Sequence, residues 1–187
     1  PHGTDLTIGL AGAVRAGSYG WTTEPGTIAH WPGGLVLCFP AAGSVEGTLV
    51  LAPGDVNLTF KEYVRTPIRC TIVDDHITSI EGDGLDAELF ASYLAAWGDR
   101  ESYAVSHAGW GMNPAARWDV LHLYDKGDIN GTELRAFAGS FLYSTGANEV
   151  AGRFTRGHFD LPMRGCTVLL DGPGGTTPVV TDGHLAF

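Results

Sequence analysis

At 187 residues the chain can bury one sizeable core, and with 44% hydrophobic against 17% charged residues its composition is globular, not disordered. The formal net charge is −10 with no cluster of Lys or Arg, which leaves nucleic acid and anionic membranes without a basic surface to bind. No run approaches the roughly 18 apolar residues of a membrane-spanning helix, and no signal peptide is visible, so a cytoplasmic protein is expected. Cys38, Cys70 and Cys166 are odd in number and lack CxxC spacing, which suits buried reduced thiols better than a disulfide framework or zinc knuckle. The chain opens at Pro1-His2-Gly3 with no initiator Met, as a trimmed piece of a longer protein would.

In chain order, Thr4 to Leu10 alternates as a strand does, and a Gly-, Ser- and Tyr-containing loop leads to Glu24-Pro25-Gly26. The turn His30-Trp31-Pro32-Gly33-Gly34 precedes a short buried strand, Leu35 to Phe39, and Gly47 to Leu51 repeats that pattern. Ile68–Val73 and His76–Ile80 form a hairpin about Asp74-Asp75, with His76 expected to be a solvated turn residue. Asp86 to Trp97 is the clearest helix: Leu89, Phe90, Tyr93, Leu94 and Trp97 share a face, Asp86 is the expected N-cap, and Gly98 is the stop.

Tyr103 to His107 is strand-like, and Asn113-Pro114 signals a short helix over 115–122. Asp125 to Thr132 is polar and Gly-containing, hence a loop, and Ala136 to Tyr143 is an apolar strand. Cys166–Leu170 and Pro178–Thr181 are a final pair joined by Asp171-Gly172-Pro173-Gly174-Gly175. The expected fold is a single α+β domain over residues 1–187, mostly antiparallel sheet with one to three helices.

The seven histidines are not equivalent. His2 and His184 lie near the termini and read as surface residues, and His122, amid Val120, Leu121 and Leu123, reads as a satisfied core residue. His107 and His158 stand apart because glycines flank both, in Ser106-His107-Ala108-Gly109-Trp110-Gly111 and Gly157-His158-Phe159-Asp160-Leu161-Pro162. If the second segment is extended, His158 and Asp160 point to one face. Two imidazoles and one carboxylate make a facial triad that leaves three positions open on an octahedral metal, as in non-haem Fe(II) oxygenases.

Asp160 lies in an apolar run and needs a partner if ionised there. Spacing leaves two partners open: a divalent cation, or Arg153, Arg156 or Arg164 nearby in sequence. The donor types admit Fe(II), Mn(II) or Zn(II) and disfavour Cu(I). No convincing phosphate-binding loop and no G-x-S-x-G is present.

These two segments, together with Arg135-Ala136-Phe137-Ala138-Gly139-Ser140-Phe141-Leu142-Tyr143-Ser144-Thr145-Gly146 and the earlier Glu24-Pro25-Gly26 and His30-Trp31-Pro32, resemble the carboxyl-terminal half of the 2,5-dihydroxypyridine 5,6-dioxygenases. The likeness runs from about residue 4 to residue 181 with the motif order preserved. It implies a mononuclear Fe(II) held by His107, His158 and Asp160, and O2-dependent extradiol-type cleavage of a hydroxylated pyridine ring, as in bacterial nicotinate breakdown. It places His30 near the substrate, in acid–base work or hydrogen-bonded to ring oxygens, the alternative being a turn histidine stacked on Trp31. Trp31 and Trp110 are candidates to line the pocket, with core packing the alternative for both.

The resemblance also implies a homo-oligomer whose neighbouring subunits complete each pocket, with a small aromatic molecule and O2 as partners. Two departures stand out: the family's amino-terminal domain is absent, and Ser18 stands where members often carry an acidic residue. The layout is similar, more distantly, to thermophilic-type two-metal aminopeptidases. Where that family has metal-binding Glu residues, this chain has Leu35 and His107, which weakens a two-metal hydrolase reading. A non-catalytic binding module of the same fold is the remaining rival.

Overall fold

The computed structural model describes residues 2–187. Along the chain the strands are β1 (Asp5–Ile8), β2 (Val14–Ser18), β3 (Leu35–Phe39), β4 (Val45–Leu51), β5 (Val56–Asn57), β6 (Glu62–Tyr63), β7 (Ile68–Val73) and β8 (His76–Glu81). After helix α1 (Leu85–Ala96) come β9 (Val105–Gly111), the short helices α2 (Val120–Leu123) and α3 (Thr132–Ala136), then β10 (Phe141–Asn148) and β11 (Arg153–Met163). The chain closes with β12 (Val168–Gly172), β13 (Gly175–Thr181) and β14 (His184–Leu185). This is the expected α+β domain, rich in antiparallel strands.

Two sheets carry most of the structure. One has the order β1-β4-β7-β8 and the other β11-β10-β9-β3-β2, with antiparallel pairing throughout both. The β12-β13-β14 meander and the β5–β6 pair are smaller additions. The alternation in β7 places Ile68, Cys70 and Ile72 inward, where they meet Phe90 and Leu94 of α1 and Tyr143, Phe159 and Leu161 from the five-stranded sheet. A smaller cluster of Val56, Leu58, Val120, Leu121, Ile129 and Leu134 anchors the segment around α2 and α3. Among the described residues no helix is long and apolar enough to cross a membrane. The three cysteines are free, and burial pushes the Cys70 and Cys166 thiols up to about 12.

Several local expectations change. Helix α1 begins at Gly84, which provides no side-chain cap; Asp86 sits in the first turn and accepts from the Arg65 and Thr66 amides and the Thr66 hydroxyl, tying down the preceding loop. Phe90 and Leu94 are buried, but Leu89 and Trp97 are 43% and 39% exposed, so the buried stripe is narrower than the spacing suggests. The helix expected over 115–122 shrinks to α2, because the Asn113 side chain caps the Ala115 amide in a tight turn.

The apolar strand expected from Ala136 starts only at Phe141, since residues 132–136 wind into α3 and bury Leu134 and Ala136. His76 is buried, not solvated: the hairpin folds over so that it bridges Ala104, and its Nδ1 lies 2.7 Å from the Asp74 carbonyl oxygen. His122, expected in the core, is exposed and stacks on Tyr63 at 5.2 Å.

The hairpin turn holds an unforeseen fastening point. Asp74 and Asp75 both have positive φ (47° and 70°), which turns the Asp75 carboxylate inward to full burial. Its oxygens accept from the backbone amides of Gly43, Ser44 and Val45 and from the guanidinium of Arg153 on β11. Arg153 also donates to the Val105 carbonyl and lies 3.4 Å from Glu101, so one ion pair ties the four-stranded sheet to β9 and β11. Burial opposes ionisation of Asp75, but the Gly43 amide, Arg153 and the Val45 amide outweigh it and hold the carboxyl below its ordinary range.

Arg153→Met leaves that carboxylate without its cation and should cost about 3–5 kcal/mol in urea unfolding. Because the folded-state pKa of Asp75 is depressed, its contribution is complete above the unfolded value and vanishes as pH falls through the folded one. Asp75→Asn should therefore flatten the acid limb of the stability–pH profile.

Candidate metal centre

Strand β10 lies between β9 and β11, and its register decides what meets at the site. Against β11, Ser144 faces Asp160 and Gly146 faces His158; against β9, Tyr143 faces Ala108 and Thr145 faces Val105. Two steps along β10 thus match three along β9, a bulge at Ser106 and His107. The extra residue turns Ser106 and His107 toward each other: Ser106 Oγ is 3.1 Å from His107 Nδ1 and donates to the Ala147 carbonyl at 2.6 Å. With its hydrogen committed to Ala147, the hydroxyl accepts from Nδ1–H, so Nε2 of His107, turned toward Ser144 and Asp160, is the ring nitrogen that could exchange its proton for a metal.

Strand alternation puts His158 and Asp160 on one face of β11, with Phe159 buried on the other. Oδ1 of Asp160 lies 3.5 Å from His107 Nε2 and 3.3 Å from His158 Nε2. One ligand atom from each of the three residues falls within 4.8 Å of the others. Neighbouring donors on an octahedral metal with bonds near 2.1 Å stand about 3 Å apart, close to the 3.3 and 3.5 Å that separate Oδ1 from the two imidazole nitrogens.

Asp160 is not paired with Arg153, Arg156 or Arg164. Arg153 is taken by Asp75, Arg164 lies over the Trp118 ring at 3.9 Å, and Arg156 is exposed. Its guanidinium partner is Arg135 of α3, whose Nη1 donates to Oδ2 at 3.0 Å. Ser144 Oγ donates to Oδ1 at 2.5 Å and lies 3.0 Å from His107 Nε2. Spacing gave no sign of either residue, although both fall in the long motif from Arg135 to Gly146; the strand expected to end at Tyr143 runs on to Asn148, and that extension aims Ser144 at Asp160.

Burial works against ionisation of Asp160, but hydrogen bonds from His107 and His158 and the charges of His158 and Arg135 prevail and hold the carboxyl well below the usual range. Burial likewise lowers the affinity of His158 for a proton, yet Asp160 and the Thr145 backbone more than compensate and raise it. The opposite directions are two sides of one interaction.

The flanking glycines serve packing more than ligand access. A side chain at Gly109 would strike the Val36 carbonyl and Leu37 of β3, and one at Gly157 would run into Ser102 and Trp97. Gly146, at φ +118°, is the one that bears on the site directly: a Cβ there would collide with the Gly157 carbonyl and come within 3.1 Å of the His158 ring.

The other site candidates lie apart from the triad. His30 and Trp31 are exposed in the loop between β2 and β3, and the His30 carbonyl accepts from the Ser18 hydroxyl at 3.3 Å. Trp110 faces Phe141 across β9 and β10, and alternation from His107 puts it on the opposite, core-side face.

The family model for 2,5-dihydroxypyridine 5,6-dioxygenase (NicX) matches residues 1–187. The chain belongs to this family. A 2,5-dihydroxypyridine 5,6-dioxygenase of Pseudomonas putida KT2440 is 43% identical over 171 residues, covering 90% of this chain and 49% of that protein. The structure of 2,5-dihydroxypyridine dioxygenase from the same organism superposes with a TM-score of 0.91 at 40% identity, covering 98% of this chain and 52% of the other. AmpT from Thermus thermophilus has a TM-score of 0.66 at 18% identity, covering 99% of this chain and 48% of its own, a likeness of fold alone. The chain thus spans about half the length of the relatives it matches.

In metal-free protein the His158 imidazole should titrate above its ordinary value of about 6.5, read from its ring-proton shifts by NMR. Asp160→Asn should lower that midpoint, and an unchanged midpoint would contradict the coupling described above. Gly146→Ala should cost about 1–3 kcal/mol through the strained φ, seen as an earlier urea midpoint.

Proposed function

We propose that this chain is the metal-binding half of a mononuclear non-haem Fe(II) dioxygenase that cleaves a hydroxylated pyridine ring, 2,5-dihydroxypyridine or a close relative. One observation supports this most: two imidazole nitrogens and one carboxylate oxygen converge on one sheet face of a chain belonging to this family. His107, His158 and Asp160 would hold the metal through Nε2, Nε2 and Oδ1. Bound there, Fe(II) would supply adjacent open positions for substrate and O2 and the electrons that activate the oxygen.

The protein's own groups do the orienting. With a metal bound, Ser106 would keep the His107 proton on Nδ1 and Nε2 turned to the ion, and the pairing of β10 with β11 sets the separation of His158 and Asp160. His30 is the candidate to take up a hydroxyl proton from the ring, and Trp31 is a candidate to line the pocket; for these the support is the family resemblance, whereas Trp110, on the core-side face of β9, is left to packing. Assembly into a homo-oligomer belongs to the same reading. Among the described residues the one His/Cys/Asp/Glu group able to hold a metal is this triad, which fits a single ion better than a two-metal hydrolase.

Anaerobic titration with Fe(II) should load one iron per chain, measured by elemental analysis after desalting. His107→Ala, His158→Ala and Asp160→Ala should each weaken loading by at least about 100-fold, beyond the effect of losing an outer partner. Loaded protein should consume O2 in an oxygen electrode with a dihydroxypyridine and not with an amino-acid amide. No iron bound, or no uptake with any hydroxypyridine or catechol, would end this reading.

A further inference from the structure

We infer that Arg135 is a positioning residue of the metal centre: by engaging Oδ2 of Asp160 it reserves Oδ1 as the single donor oxygen. The inference rests on the metal reading above and concerns how the carboxylate is presented to the ion. Oδ2 accepts from Nη1 of Arg135 at 3.0 Å, whereas Oδ1 accepts from the Ser144 hydroxyl at 2.5 Å and faces His158 Nε2 at 3.3 Å and His107 Nε2 at 3.5 Å. The two oxygens therefore have different neighbours before any ion arrives. A carboxylate free to swing can bind a cation through both oxygens and so fill an extra coordination position. With one oxygen held by a guanidinium, Asp160 offers one bond, and three sites stay open for substrate and O2.

The guanidinium is itself held. Arg135 lies in the last turn of α3, whose Leu134 and Ala136 are fully buried, and Nη2 reaches Thr132 Oγ1 at 3.4 Å. Nε of Arg135 is buried and has no hydrogen-bond partner, an unpaired donor that ordinary packing disfavours. A surface ion pair would leave that nitrogen to water; here the side chain is drawn in toward the ligand at the expense of that bond. Its planar fork fixes direction as well as charge, which a lysine ammonium does not reproduce.

The test compares Arg135→Met and Arg135→Lys with the parent protein. Apo fold is checked by circular dichroism, Fe(II) affinity is measured anaerobically against a chelator, and Co(II)-substituted samples are read by visible absorption, which senses coordination number. Arg135→Met is expected to weaken Fe(II) binding by about 10- to 100-fold, the usual effect of losing an outer partner of a ligand, and to alter the cobalt spectrum. Arg135→Lys should fall between it and the parent in affinity and also give an altered spectrum. Parent-like affinity and an unchanged cobalt spectrum in Arg135→Met would overturn the inference while leaving the metal reading intact. If Arg135→Met does not fold, the same result in Arg135→Lys overturns it. Failure of the parent protein itself to bind either metal would overturn both.

Discussion

The burial of Phe159 fixes the geometry on which the site depends. It lies between His158 and Asp160 in β11, is fully buried, and packs against Phe90 at 4.7 Å, Tyr93 at 4.6 Å and Phe60 at 5.4 Å. Removing a buried phenylalanine side chain typically costs about 3–5 kcal/mol, so the ring strongly specifies which face of the strand turns inward. Because strand side chains alternate, that choice sends its two neighbours to the opposite face together. A slip of one residue would bury an imidazole and a carboxylate among aromatic rings and expose the phenyl. His158 and Asp160 are therefore positioned by an apolar contact on the far side of the sheet.

Two buried carboxylates are held in contrasting ways. Asp75 uses both oxygens on fixed partners: Oδ1 takes the Ser44 and Val45 amides, and Oδ2 takes the Gly43 amide and Arg153. Nothing about it is left for a ligand. Asp160 has Oδ2 tied to Arg135 and Oδ1 set among a hydroxyl and two imidazoles, groups that can rotate or exchange a proton for a cation. Three backbone amides and one guanidinium fix both oxygens of Asp75, whereas Asp160 has no backbone amide on either oxygen and one oxygen set among side chains able to exchange protons.

Much of the site was legible because its signal is local. The two-residue spacing of His158 and Asp160 needed only an extended backbone, and β11 supplies it. The meeting with His107 is not local: it depends on β10 pairing both neighbours and on the bulge opposite Ser144, and spacing contains neither. There the family resemblance identified what pattern could not. Arg135 was passed over for Arg153, Arg156 and Arg164 because sequence proximity stood in for spatial proximity. The true partner lies 25 residues from Asp160, on a five-residue helix that falls between the expected loop ending at Thr132 and the expected strand starting at Ala136. His76 shows the same limit, since its burial comes from a bridge to Ala104 that a hairpin pattern cannot disclose.

The likeness to AmpT sharpens the distinction between fold and chemistry. At 18% identity the backbone arrangement persists, and what separates the possible reactions is the donor set placed on it. Leu35, standing where the two-metal aminopeptidase pattern has a carboxylate, is buried in β3 opposite Gly111. An apolar side chain there offers no donor atom, and restoring one would place a carboxylate where the structure now packs a leucine, at a desolvation cost that only a cation would offset. His107 adds an imidazole, which carries no negative charge, in place of a second carboxylate. Two dications in close proximity need several carboxylates to balance their repulsion; this site has one, already shared with Arg135. The charge inventory thus fits a single ion and argues against the two-metal clamp, whatever the common fold.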